Sequence, residues 1–360
     1  MVNSGSSANL AMVEYLMRPS RGKPKLKSGD MVLVPILAWP TTIWPIIQLG
    51  LKPIFVDINK ENLGLDLNHA REIIRNCEKN QIKAIFPIHP LGFGLDDDRL
   101  NTFCHEFNLI LISDVCESLG SWQGNVHAGT TSLMSSFSFY FSHHLTTMEG
   151  GGVATDSLEV YNDLKSIRSH GWSRDRTDVD NWEFNIHPSL KKFNFVSAGF
   201  NIRPMEIQAA IGISQLSDLE NFIEKRKKNV KRLVENLEGS NFSVIGGTVE
   251  NLLPRSRHSW MHIPIKLSDN FDEQDKFKVV RYLEDLGIET RPPLTGNFLA
   301  QPAMKNLFIG NESWTKFPII NAISKLTFLV GCHQDLVDDQ VSFLSEQLKR
   351  SEEHTSELQS

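Results

Sequence analysis

Short apolar runs recur along the chain, separated by stretches whose apolar residues fall at helical spacing. Residues 31–37, 53–57, 84–89 and 109–114 read as strands buried on both faces, as in a parallel sheet. Between them, 41–49, 66–78 and 97–107 read as helices, the last with acidic residues at its start, where the helix dipole favours them. Residues 132–140 and 152–155 read as further strands. The alternation predicts an α/β fold with a mainly parallel central sheet and helices on both faces. Residues 158–169 and 204–216 read as helices, the second opened by Pro204 in its first turn. The charged stretch 218–237 reads as a linker helix into a smaller C-terminal α/β domain. There, strands are expected at 243–245 and 262–267 and helices at 275–286 and 338–348. Residues 1–217 are therefore expected to form a large domain, and 218–349 the linker helix and small domain. Residues 350–360 read as translated adapter sequence and are set aside.

Bulk properties exclude several classes. A formal charge of −6 and a pI near 6.1 leave no basic footprint for nucleic acid. No apolar run approaches the roughly 18 residues of a membrane span, and the N-terminal residues lack the pattern of a signal peptide. Cys77, Cys104, Cys116 and Cys332 lie far apart. They read as reduced thiols of a cytoplasmic protein, with no zinc site and no disulfide framework.

Some residues stand where ligand chemistry would place them. Ser4, Gly5, Ser6 and Ser7 precede an apolar helical stretch, so they read either as an N-cap or as a phosphate cradle at a helix N-terminus. Asp114 ends an apolar strand, where open α/β sheets bind ligands. It reads as a strand-ending turn or as the partner of a protonated pyridine nitrogen. Trp39 leaves the first strand either as packing or as a ring to stack on an aromatic cofactor.

The stretch Ser138-Phe139-Tyr140-Phe141-Ser142-His143-His144-Leu145-Thr146-Thr147-Met148-Glu149-Gly150-Gly151 resembles the cofactor loop of the pyridoxal-phosphate (PLP) sugar aminotransferase/dehydratase family (DegT/DnrJ/StrS type). Residues 167–174, 199–206 and 291–298 match further, and the resemblance covers 1–349. It implies the aspartate-aminotransferase-like fold type I. It also places about fifty residues ahead of the counterpart of Asn3, so the chain reads as N-terminally truncated. The family's aminotransferases carry, at the position of His143, the lysine that tethers the cofactor. An imidazole cannot replace that tether, yet it moves protons near neutral pH. The change points from transamination to dehydration.

The resemblance implies roles residue by residue. Ser6, Ser7 and Ser138 bind the cofactor phosphate, Trp39 stacks on its ring, Asp114 holds its pyridinium and His143 is the base. Asn201 reaches the cofactor phosphate of a neighbouring subunit, which implies a homodimer. Arg174, Arg291 and Asn297 contact the substrate or the amino donor's carboxylate, and His144 is structural. The implied reaction is 3-dehydration of an NDP-4-keto-6-deoxyhexose, GDP-4-keto-6-deoxymannose being the substrate it points to. L-glutamate aminates the cofactor to pyridoxamine phosphate (PMP), giving 2-oxoglutarate. The sugar then loses its C3 hydroxyl, and ammonia and a 4-keto-3,6-dideoxy sugar nucleotide are released. Such sugars, colitose among them, end in lipopolysaccharide O-antigens or in secondary metabolites.

Other readings remain open at this level. A dehydrase using a [2Fe–2S] cluster needs clustered cysteines, and none lies between Cys116 and Cys332. A plain aminotransferase would need a second lysine, such as Lys165, Lys191 or Lys192, as tether. A non-catalytic homologue would bind PLP or sugar nucleotide without turnover.

Overall fold

A computed structural model describes every residue except 79–80, 180–181, 183–185, 248–255, 308–313 and 358–360. A six-stranded sheet runs in the order Lys52–Val56, Met31–Pro35, Ile82–Ile85, Ile110–Asp114, Met134–Ser138, Gly151–Ala154. Its pairings are parallel up to Met134–Ser138, and Gly151–Ala154 closes the edge antiparallel. Adjacent residues of a strand face opposite sides of the sheet. Val32 and Val34 join one buried cluster with Met12 and Leu16 of the helix Gly5–Met17. Leu33 joins a second cluster with Phe103 and Cys104 of the helix Asp97–Phe107. Burial on both faces is why these strands read as unbroken apolar runs and not as alternating ones.

The helix Asp97–Phe107 begins because Asp96 accepts from the Arg99 N–H and two more acidic residues occupy its first turn. The helix after Asn201 starts later than the sequence suggests. It spans Glu206–Leu216, with the Gln208 side chain accepting from the Met205 N–H at the cap. Pro204 thus lies outside its first turn.

A long helix, Leu219–Asn236, leads to a four-stranded antiparallel sheet in the order Thr290–Arg291, Thr327–Gly331, His262–Leu267, Phe242–Val244. Its inner face belongs to the first cluster, through Ile263, Ile265 and Phe328, so one continuous core joins the two sheets. The strand Thr327–Gly331, the helix Pro318–Leu326 and the short hairpin Trp122–Gln123 with Val126–His127 went unread in the sequence. The C-terminal helix, Asp338–Glu357, passes beyond residue 349. Ser351 is buried in it, and Glu352 accepts from the Asn241 N–H at 2.8 Å.

The two sheets meet where Gly92 (φ 94°) approaches Trp260. A Cβ on Gly92 would stand 2.2 Å from the Trp260 backbone nitrogen, so no larger residue fits. Trp260 is fully buried and meets Phe93 edge-on at 5.1 Å. Asp57, ending the Lys52–Val56 strand, accepts from the N–H groups of Ile319 and Ile320 at 2.9 and 3.0 Å. It thereby caps a helix of the second sheet's layer.

Candidate active site

A cavity of about 570 Å³ opens over the carboxyl ends of the parallel strands, against the second sheet. Ser4, Gly5 and Ser6 line one wall. Ser4 caps the helix by accepting from the Ser7 N–H at 3.1 Å, a cap that is compatible with an anion at the same helix N-terminus. Free N–H groups and the positive end of the helix dipole face the cavity there, beside Ser138. Gly5 permits this approach, since a Cβ on it would lie 2.7 Å from the Ser138 Cβ. The loop is pinned on its far side by Gly151, whose Cβ would meet the Ser4 carbonyl oxygen at 2.3 Å. Ser7 is not among the lining residues; its hydroxyl accepts from Ser4.

Asp114 forms the floor. Asn9 Nδ2 and Thr42 Oγ1 each donate to its Oδ2 at 2.7 Å, and the Cys116 N–H donates to Oδ1 at 3.0 Å. Three donors fix the direction of this buried carboxylate. Trp39, the N-cap residue of the helix Pro40–Gln48, is 54% exposed on the cavity wall. An indole left this open offers a face to a planar ring.

His143 lines the same cavity. Its Nδ1 lies 2.6 Å from the Cys116 carbonyl oxygen. A carbonyl only accepts, so Nδ1 carries the proton and Nε2 keeps its lone pair. Burial first, then the charge of Arg226, pulls the imidazole below its ordinary pKa, against opposing pulls from the Cys116 carbonyl and Asp114. The ring is thereby held as a neutral base. His144 points away: buried, it donates from Nε2 to the Ser259 carbonyl at 3.0 Å, tying the loop to the second sheet.

The structure gathers Ser6, Trp39, Asp114, Ser138, His143 and Arg291 around one cavity. The other sequence candidates are not brought to it. Arg174 lies over the Trp172 ring at 4.1 Å and pairs with Asp175. Asn201 is exposed and accepts from Arg203. Asn297 is buried; it caps a short turn by accepting from the Leu299 N–H and donates to Asn321.

Other lining residues escaped the sequence reading. Glu117 stands three residues after Asp114, and its Oε2 accepts from the Leu91 N–H at 2.8 Å. Burial pushes its carboxyl up to about 7. A second carboxylate just past a buried strand end was the available signal. His262, at the mouth of the second sheet, left no local signal, because its strand is remote in sequence.

Residues 1–349 match the DegT/DnrJ/EryC1/StrS aminotransferase family. The chain belongs to this family. It is 36% identical over 356 residues to the GDP-4-keto-6-deoxy-D-mannose 3-dehydratase of Yersinia pseudotuberculosis, covering 97% of this chain and 86% of that one. The enzyme of the same name from Escherichia coli O55:H7 is 34% identical, with 97% and 87% covered. A crystal structure of GDP-4-keto-6-deoxymannose-3-dehydratase with bound GDP-perosamine superimposes with a TM-score of 0.85 at 33% identity, over 97% of this chain and 87% of that one. The Escherichia coli enzyme with bound hydrated PLP gives a TM-score of 0.82 at 33% identity, with 97% and 86% covered. The α/β architecture is thus the fold of this PLP-dependent class.

Proposed function

We propose that this chain is a PLP/PMP-dependent lyase that removes the C3 hydroxyl of an NDP-4-keto-6-deoxyhexose, GDP-4-keto-6-deoxymannose above all, with L-glutamate as amino donor. The observation that carries this reading is His143, a neutral imidazole with Nε2 free, in a cavity that no lysine of the described residues lines. Lys165, Lys191 and Lys192 are all outside the lining, so none supplies the tether an aminotransferase needs. The similar dehydratases support the substrate.

The residues fit the cofactor. The N-terminus of Gly5–Met17 with Ser6 and Ser138 suits a phosphate, the oriented Asp114 suits a pyridinium, and open Trp39 suits the ring face. When bound, the cofactor supplies an electron sink for bond breaking next to its amine. The protein supplies placement and the proton. His143 Nε2 accepts a proton and, as imidazolium, is able to return it to the departing hydroxyl. The Cys116 carbonyl then stabilises the charged ring through the Nδ1–H. Histidine also cannot capture the cofactor covalently, so the site stays open to the amine form.

A homodimer fits the surface. The helix Glu206–Leu216 is apolar but buries only Gln208, leaving Ile207, Ile213 and Leu216 exposed; its Gln215 bonds Thr146 of the cofactor loop, in which Phe141 and Met148 are exposed as well. We read Asn201, exposed on its own chain, as the residue that would reach the cofactor phosphate of a neighbouring subunit in such a pair, and the enzyme as cytoplasmic. Full-length protein incubated with GDP-4-keto-6-deoxymannose and glutamate should release ammonia and a 3-deoxy sugar. An amino sugar as the product would overturn the reading.

A further inference from the structure

The second sheet contributes an imidazole that the reaction above does not use. Arg291 and Pro264 both stand opposite Leu329, and His262 lies two residues before Pro264. Side chains alternate along a strand, so His262, Leu329 and Arg291 share one face of the sheet. All three line the cavity. Nδ1 of His262 is buried with no hydrogen-bond partner among the described residues, which leaves Nε2 as the nitrogen able to meet a ligand. Burial first, then Arg291, Arg226 and His143, pull this ring down to about 4, against a small opposing pull from Glu289. It is therefore neutral near pH 7 and offers an N–H donor.

The neighbouring cation is less free. Arg291 Nε and Nη2 already bind Glu289 Oε1 at 3.0 and 2.9 Å, on the exposed side. His262 is then the interior donor of this wall, and it lines the same cavity as His143. In an amino acid the α-carboxylate is bonded directly to the carbon that reacts, so it must lie beside the base. A sugar nucleotide's diphosphate is held away from the reacting carbons by the sugar ring. An acceptor close to both imidazoles is better matched by the carboxylate.

We infer that His262 reads the α-carboxylate of the amino donor, donating from Nε2 while Arg291 supplies the charge. This rests on the reading of glutamate as amino donor. Glutarate, a dicarboxylate with no amine to transfer, is the probe, titrated by calorimetry into PLP-loaded protein. His262→Phe should weaken glutarate about tenfold or more, the worth of a hydrogen bond to a charged group. His262→Gln, which keeps an N–H, should recover most of the affinity. GDP affinity should be the same in all three proteins. In labelled wild-type protein the ring signals of His262 should also shift on adding glutarate, a readout that needs no substitution. Unchanged glutarate binding in His262→Phe, a silent His262 ring, or an equal loss of GDP affinity would overturn the assignment. None of these measurements involves turnover, so failure of the ammonia assay on wild-type protein leaves this test standing, and the reverse also holds.

Discussion

At the scale of single residues, the chemistry we propose turns on which nitrogen of His143 carries the proton. The Cys116 carbonyl decides this, and backbone carbonyls leave no trace in sequence. The residue itself was legible because an imidazole stood in a loop that otherwise fits a cofactor. Asp114, Trp39, Ser6 and Ser138 were legible for the same reason, whereas Ser7, Arg174, Asn201 and Asn297 are not at this chain's own cavity. Glu117 was less legible than Asp114 because it lies past the apolar run that Asp114 ends. His143→Asn should lower dehydration by about a hundredfold or more while leaving PLP affinity near wild type, since general-base catalysis is lost but the cradle stays. His143→Lys should suppress C3 deoxygenation and trap PLP covalently, visible by absorbance and by mass after borohydride reduction. Full dehydratase activity in that variant would contradict the assignment. The acid limb of the pH–rate profile follows from the same ring. Its pKa is depressed, so the competent neutral form persists as pH falls below the ordinary 6.5. The limb's midpoint should therefore lie below 6.5, and a midpoint above it would argue against His143 as the titrating base.

At the scale of elements, helix and strand positions followed the apolar period closely where the elements are long and bury one stripe or both faces. The helix Asp97–Phe107 was read to the residue because acidic residues mark its start. Two-residue strands such as Trp122–Gln123 carry no period to read, and their pairing is fixed by tertiary contact. Pro204 misled because proline suits a first turn by its φ alone, while the Gln208 side chain sets where the helix begins. The site's dependence on close backbone approach is testable at the Gly151 contact. Gly151→Ala would drive a Cβ to 2.3 Å from the Ser4 carbonyl and 2.6 Å from the Gly5 nitrogen. The helix N-terminus must move. The variant should lose about 1–3 kcal/mol of stability by thermal melting, and PLP should dissociate more readily in equilibrium dialysis. Wild-type PLP retention in this variant would remove the first helix from the phosphate site.

At the scale of the whole molecule, the cavity exists because two sheets share one core while their edges part over Asp114. The alternation of apolar and amphipathic segments foretold the α/β fold with its mainly parallel central sheet, and we propose a division into domains near residues 217 and 218. The seam at Gly92 and Trp260 was not legible, since neither residue signals the other at a distance of more than a hundred and fifty positions. The exposed apolar helix predicts self-association. Ile213, 72% exposed, replaced by Arg should shift sedimentation from dimer to monomer and reduce dehydration in parallel. An Ile213→Arg protein that stays dimeric would exclude this face. The central claim is that His143 moves a proton at the cofactor's methylene carbon. Its most direct test is hydrogen exchange at that carbon when PMP-loaded protein is held in D₂O with the sugar nucleotide. Wild-type protein should incorporate deuterium there, with His143→Asn slower by about a hundredfold; equal exchange in both proteins would contradict the account.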